Sequence, residues 1–107
     1  MSASVAVEGF RPCRRATLRG FAKVRFASGL VMDEIAVQVS QSGKAWAQPP
    51  AAPRLDADGN PIRDERGKVK YSPLIGFADL ETRGRWSAQI IEALRQSHPR
   101  ALEVESP

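Results

Sequence analysis

Two consecutive runs of alternating residues, between Thr17 and Val39, constrain the fold more than any other stretch of this chain. The first run, TLRGFAKVRF, has small or apolar residues at every second position and mostly polar residues between them. The second, LVMDEIAVQV, is rich in valine and isoleucine, and ASG lies between the two. Period-two alternation is typical of a strand with one buried and one exposed face, and a glycine-containing turn favours a hairpin. The stretch therefore predicts two long antiparallel strands.

The exposed face predicted for the first of these strands carries cations and an aromatic ring. Its members are Thr17, Arg19, Phe21, Lys23 and Arg25. A short third strand, at 44–48, repeats the combination with Lys44 and Trp46 on one face, and Pro49–Pro50 ends it. Cations next to aromatic rings suit nucleic acid, because the cations meet phosphates and the rings stack on bases. A role for Trp46 in the core is the alternative.

The second long strand contains two acids that offer a different explanation of the basic face. Val31, Ile35, Val37 and Val39 are predicted to share its buried face, with Asp33 as the exception, and Met32, Glu34, Ala36 and Gln38 to be exposed. On an antiparallel pair, Asp33 or Glu34 would lie across from Arg19 or Lys23. Such an ion pair needs no ligand, so it is an alternative to a binding surface.

The remaining extended segments are shorter. A first strand is predicted at Val5–Phe10, before Pro12. Residues 49–67 are rich in turn formers and predict a protruding loop with tight turns at Asp58–Gly59 and Arg66–Gly67. A strand then follows at 68–77, bent near Pro73. On this strand Lys68 and Lys70 are predicted to share one face, with Val69 and Tyr71 on the other.

One helix is predicted near the C-terminal end. Asp79 or Thr82 is a suitable N-cap. Trp86, Ile90, Ala93 and Leu94 follow at i, i+4, i+7 and i+8, with Ile91 beside them, which is the pattern of a packed helix face. Pro99 ends the helix, and the tail at 99–107 is predicted to be frayed. Arg83 and Arg85 in the first turn oppose the helix dipole, so phosphate contact is one interpretation and solvent exposure is the other.

Length and composition narrow the classes of protein that need to be considered. A chain of 107 residues predicts a single domain, and with alanine prominent among its 42% hydrophobic residues it predicts a thin core and a homodimer. The net charge is +4, and residues 1–25 alone carry six basic residues against one acid. That excess favours nucleic acid or another acidic partner. No stretch resembles a membrane span or a signal peptide, so the expected location is the cytoplasm.

Catalytic and metal-binding motifs are not evident. Cys13 and His98 are the only residues of their types, which excludes an intramolecular disulfide and a Cys/His zinc site. The acids of the 49–67 loop begin like a calcium-binding loop, but Pro61 and Gly67 stand where that motif needs a glycine and a glutamate. No glycine-rich phosphate-binding motif occurs. We therefore expect no enzyme activity, no cofactor, no metal and no small-molecule substrate.

The order of these elements resembles the stage V sporulation protein G family. The resemblance covers about residues 10–97 and is carried by the basic strand, the acid before Ile35, the strand Trp46–Pro49 and the helix opening Thr82–Arg83–Gly84. It implies an α+β fold in which a curved antiparallel sheet of four to five strands is followed by one C-terminal helix. It also implies a small dimer that binds DNA or RNA with little sequence preference. The long insertion at 49–67 departs from the family pattern and indicates a diverged, phage-associated relative.

The sequence thus predicts a nucleic-acid-binding protein that works by electrostatic capture and base stacking, with single strands among its expected ligands. The residues predicted to bind are Arg19, Phe21, Lys23, Arg25, Lys44, Trp46, Lys68, Lys70, Arg83 and Arg85. The alternative is a protein-interaction or assembly module that pairs a partner with an open sheet edge.

Overall fold

A computed structural model of the chain describes residues 5–103 and has an α+β architecture. One antiparallel sheet has the order β1-β2-β3-β4 and a smaller one pairs β5 with β6. A single helix, α1, follows them. The bounds are β1 Val5–Arg15, β2 Leu18–Phe26, β3 Val31–Val39, β4 Ala45–Gln48, β5 Ala51–Pro53, β6 Tyr71–Pro73 and α1 Leu80–Ser97. The predicted fold class, the central hairpin and the C-terminal helix are confirmed.

Helix α1 packs on one face of the four-stranded sheet and forms the core with it. Asp79 is its N-cap, and the Asp79 carboxylate accepts a hydrogen bond of 2.7 Å from the backbone N–H of Thr82. The predicted apolar stripe is the buried one: Ile90, Ile91 and Leu94 lie against Ile35 and the buried valines of β2 and β3. Each such side chain contributes about 1.5–3 kcal/mol when fully buried. The sheet face that packs on α1 is called the inner face below, and the opposite one the outer face.

Strand β1 is longer than predicted, because Pro12 lies within it and does not end it. The strand runs to Arg15 and pairs Pro12 with Gly20 of β2. Prolines within sheets are found mainly on edge strands such as β1, where only alternate N–H groups face a neighbouring strand. The extension brings Arg11 onto the sheet beside Phe21, which the sequence did not predict.

Strand β3 has a bulge that exchanges the predicted faces of its first residues. Ala22 pairs with Ile35 and Val24 with Met32, so two residues of β3 lie opposite a single residue of β2 between these pairs. Glu34 has a left-handed backbone, with φ of 57°. A one-residue shift moves side chains to the other face. Met32 is therefore buried at 8% exposure and Val31 is 44% exposed, the reverse of the prediction.

Residues 51–73, called the arm below, contain two similar turns eight residues apart. In each, an aspartate side chain accepts hydrogen bonds from the backbone N–H groups two and four residues later. Asp56 does this in the first turn and Asp64 in the second. Gly59 and Gly67 end the turns with φ of 83° and 82°. The loop predicted at 49–67 therefore has regular turns and a small sheet, and β6 is much shorter than the strand predicted at 68–77.

The segment after α1 packs more closely than predicted. His98 is the C-cap, and its ring lies 5.9 Å from that of Phe10. Ala101 is buried at 9% exposure and Leu102 packs against the core. A frayed tail is therefore wrong for residues 99–103, because apolar side chains anchor that segment. The rest of the predicted tail, residues 104–107, lies outside the described residues.

Candidate nucleic-acid interface

A row of four side chains crosses the outer face of the sheet. Strand pairing aligns Arg11 with Phe21, Phe21 with Ala36, and Ala36 with Gln48, one residue from each of the four strands. None of these residues is fully buried. The small Ala36 leaves room beside the Phe21 ring. The row thus offers a cation, an aromatic ring and an amide along one line.

Arg11 and Glu34 form the charged end of this row. Two nitrogens of the Arg11 guanidinium donate to the two Glu34 carboxylate oxygens at 3.1 and 3.0 Å. The same guanidinium lies over the Phe21 ring, 5.0 Å from its centroid, in a cation–π arrangement. The hydrogen bond to Glu34 raises the pKa of Arg11 above its ordinary value. The fork on the carboxylate fixes the guanidinium over the ring.

A groove of about 480 Å³ lies between the outer face and the arm. The sheet contributes Phe21, Ala36 and Gln48, the arm contributes Tyr71, and Glu34 also lines the groove. Tyr71 is 62% exposed although it is one of the largest apolar side chains of the chain. Two aromatic rings with free surface in one open groove suit the stacking of flat groups.

Arg83, in the first turn of α1, borders this groove and a second one. The second depression, of about 380 Å³, lies between edge strand β4 and the start of α1 and is lined by Lys44, Trp46, Gly84 and Ser87 among others. Arg83 lines both depressions. Its guanidinium therefore lies where a chain passing from the Phe21 groove to Trp46 would cross the start of the helix.

Glutamine side chains add hydrogen-bonding capacity to the same surface. Thr17 Oγ1 donates to Gln38 Oε1 at 2.6 Å, and Gln38 Nε2 donates to Gln48 Oε1. The amide of Gln48 lines the groove. Oriented amides can donate to and accept from base edges.

The other predicted cations differ in their surroundings. Lys23 is exposed between the buried Ala22 and Val24, which places it on the outer face. Arg25 is exposed too, but it pairs with Glu8 of β1 at 2.8 Å. Arg85 pairs with Glu81 one helical turn earlier, at 2.9 Å. Lys68 and Lys70 are exposed on the arm, away from the groove lining.

Arg19 is the predicted site residue that the structure contradicts. Leu18 pairs with Gln38 and Gly20 with Val37, so Arg19 is the extra residue of a bulge in β2. Its side chain is buried, at 9% exposure, and donates to the carbonyl oxygens of Ala16 and Leu18, both at 3.0 Å. It borders a cavity next to α1 and not the outer-face groove. The bulge removes it from the exposed row.

The alternative ion pairs across β2 and β3 are not those predicted. Glu34 reaches Arg11 and not Arg19 or Lys23, because the left-handed bulge redirects its side chain. Within residues 5–103, Lys23, Lys44 and Arg83 have no ion pair. The acids therefore neutralise Arg11 and leave these three cations available.

Two residues of this surface, Arg11 at the end of the row and Tyr71 in the groove, are not predicted from the sequence, for different reasons. Arg11 falls outside the predicted first strand, because Pro12 resembles a strand break in the sequence. Strand alternation predicts that Tyr71 lies on the face opposite Lys68 and Lys70, but it does not predict the groove that Tyr71 lines. The only sequence signal for Tyr71 is its position two residues before Pro73, where the predicted strand bends.

The two edges of the main sheet are poorly suited to strand addition. Edge strand β1 contains Pro12 and two register shifts, which interrupt the row of free backbone groups. On the other edge, the backbone N–H of Ala47 in β4 already donates to Ser87 Oγ of α1 at 2.8 Å. These features disfavour the alternative in which a partner pairs with the sheet edge.

The fold and the groove define a small α+β protein with an open, cationic and aromatic surface. Comparison of the chain with protein-family models, curated proteins and solved structures found no significant match to any of them. The likeness to the stage V sporulation protein G family therefore remains a resemblance in the order of motifs. In the part of the chain that the structure describes, no helix is long and apolar enough to cross a membrane.

Proposed function

We propose that the protein binds single-stranded DNA or RNA along the outer face, with little dependence on sequence. The observation that carries the proposal is the position of Arg83 between two depressions that each contain an exposed or half-buried aromatic residue. One strand can follow the line from Phe21 and Tyr71, past Arg83, to Trp46. A linear series of rings and cations matches the alternation of bases and phosphates.

In this mechanism the cations provide capture and the rings provide retention. Lys23, Arg83 and Lys44 attract the phosphates, and each contact releases counterions. Bases then stack on Phe21, Tyr71 and Trp46, which is tolerant of sequence because every base has a flat face. The glutamine amides add weak preferences. The Arg11–Glu34 pair holds a guanidinium over one face of Phe21 and leaves the groove side of the ring for a base.

We also propose that the working form is a homodimer located in the cytoplasm, where nucleic acid is accessible. Leu74 and Leu80 are 65% and 84% exposed, which is unusual for such large side chains in so small a protein. A second copy would cover part of this surface. Sedimentation equilibrium tests the dimer: a single species at monomer mass over the accessible concentration range would contradict it.

Fluorescence anisotropy tests the binding function directly. Labelled single-stranded DNA, single-stranded RNA and duplex DNA of about 15 nucleotides cover the length range of one small binding domain. We expect single strands to bind more tightly than the duplex, because stacking needs exposed bases, and we expect affinity to fall as salt rises. If none of the three binds at low salt, the proposed function is wrong. Tighter binding of the duplex would exclude the stacking mechanism.

A further inference from the structure

A second cavity lies on the inner side of the sheet, between the end of α1 and the first two strands. Its volume is about 520 Å³. Phe10, Pro12, Pro99 and Ala101 provide apolar walls, and Arg14, Arg19, Arg100 and His98 provide the polar ones. Pockets of this size, largely apolar with a few convergent polar groups, are typical of small-molecule sites. No Asp or Glu is among its described lining residues.

Arg19 is the residue that gives this cavity a chemical preference. It is more than nine-tenths buried, and its Nε is fully enclosed without a hydrogen-bond partner among the described residues. One terminal nitrogen is satisfied by the Ala16 and Leu18 carbonyl oxygens. A buried donor on a charged group is costly to leave unpaired, so such atoms usually have a partner. Because Nε is fully enclosed, an anion in the cavity would meet Arg19 through its second terminal nitrogen, which is not enclosed and has no hydrogen-bond partner among the described residues.

The polar residues around Arg19 make contacts of different strength with other groups. Arg14 donates to the backbone carbonyl of Glu103 at 3.0 Å, which holds it at the rim. Arg100 is 87% exposed and lies 3.6 Å from the Glu103 carboxylate, a loose pair that can release its guanidinium. The His98 ring packs against Phe10 and closes one wall. The guanidinium groups of Arg19 and Arg100 beside an apolar chamber favour a ligand that is anionic at one end only.

We propose that this cavity binds a small organic anion, with its phosphate or carboxylate held by Arg19 and Arg100. The apolar body of the ligand lies against Phe10 and Pro12. The site is separate from the proposed nucleic-acid surface, because its residues line none of the outer-face grooves. The inference does not depend on nucleic-acid binding.

His98 provides a reporter for this site, because it is the only histidine of the chain. The experiment follows its ring resonances by NMR at constant pH while the full-length protein is titrated with phenyl phosphate, benzoate, inorganic phosphate and neutral benzyl alcohol. We expect a saturable shift with phenyl phosphate or benzoate, a weaker response to inorganic phosphate and none to benzyl alcohol. The stronger of the two organic anions identifies the natural anionic group. No saturable shift with any anion would overturn the proposal, as would an equal response to benzyl alcohol.

Two arginine variants and a matched control complete the test. Arg100→Ala removes an exposed side chain and leaves the core intact, so we expect about tenfold weaker binding from the loss of one charge-assisted contact. Arg95→Ala removes an exposed arginine from the last turn of α1, outside the cavity, and should leave binding unchanged. Arg19→Lys keeps the charge but loses the guanidinium, and it should weaken binding more than Arg100→Ala.

Equal affinity in Arg100→Ala, Arg95→Ala and the wild type would contradict the assignment. Addition of a single-stranded oligonucleotide separates the two proposals, because it should leave the His98 resonances in place. If the oligonucleotide shifts His98 and the small anions do not, the cavity is part of the nucleic-acid surface and the separate site is wrong.

Discussion

Arg83 provides the most direct test of the proposed interface, because a matched arginine lies two residues away. Arg83→Gln removes the cation that borders both depressions and keeps a side chain of similar length. For single strands the slope of log affinity against log salt is about −0.7 for each phosphate contact. A slope of about −2 is expected for the wild type if one phosphate contact is made by each of Lys23, Lys44 and Arg83. In Arg83→Gln the slope should be shallower by about 0.7, and the affinity at low salt should be about fivefold lower.

The control is Arg85→Gln. It carries the same loss of charge in the same helical turn, but Arg85 pairs with Glu81 at 2.9 Å and borders neither depression. A general effect of net charge would change both variants equally. We therefore expect Arg85→Gln to keep nearly the wild-type slope in the same anisotropy titration. Equal slopes for the two variants would refute the idea that the strand crosses the start of α1.

Three further predictions concern stacking, close packing and pH. Phe21→Leu keeps an apolar side chain but removes the ring, so single-strand binding should weaken at least fivefold by anisotropy, since a stacked base contributes about 1–3 kcal/mol; unchanged affinity would exclude Phe21 as a platform. Gly20→Ala places a Cβ within 2.6 Å of the Phe10 ring and 2.5 Å of the Arg11 carbonyl, so chemical denaturation should show a loss of roughly 1–3 kcal/mol. In Gly84→Ala the new Cβ meets nothing within 4 Å, so the free energy of unfolding should rise by about 0.5–1 kcal/mol. Stability changes of the same sign in the two variants would contradict the close packing around Gly20. The hydrogen bond from the Thr82 N–H lowers the pKa of Asp79 in the folded protein. The contribution of the ionised carboxylate to stability is therefore complete above its unfolded pKa of about 3.9 and is lost as pH falls through the lower folded pKa. Asp79→Asn keeps the cap without the titration and should lose less stability than the wild type over that acidic range, whereas superimposable curves would exclude a charged cap.

The elements that the sequence predicts well are those specified by local periodicity. The strand pair at 17–39 alternates with period two, and α1 repeats its apolar residues at three and four positions. Such patterns indicate which face is buried without knowledge of the partner, except where the bulges at Arg19 and Glu34 shift the alternation. Asp79 was one of two predicted caps, and the structure selects it because its carboxylate reaches the Thr82 N–H. Of the candidate site, Phe21, Lys23, Lys44, Trp46 and Arg83 lie exposed or half-buried at the outer surface for the same reason.

The remaining features depend on contacts between distant residues, which no local pattern encodes. Arg25 meets Glu8 because β1 pairs alongside β2 in the register that aligns Ala6 with Arg25. Tyr71 reaches the groove because the two turns of the arm bring residue 71 back to residue 53. Each of these contacts requires the register of a strand pair, and register emerges only when the whole sheet is assembled.

The two bulges explain how the basic face remains available although the neighbouring strand is acidic. In β2 the bulge sends Arg19 to the inner side, where its charge cannot meet the acids of β3. In β3 the left-handed Glu34 moves its carboxylate to Arg11, a cation that already lies over Phe21. An acid that was expected to neutralise the interface instead orients one guanidinium against an aromatic ring. Such an exposed pair contributes little to stability, so it can open when a phosphate arrives. The cations best placed for capture, Lys23 and Arg83, remain unpaired among the described residues, and this arrangement follows from one extra residue in each strand.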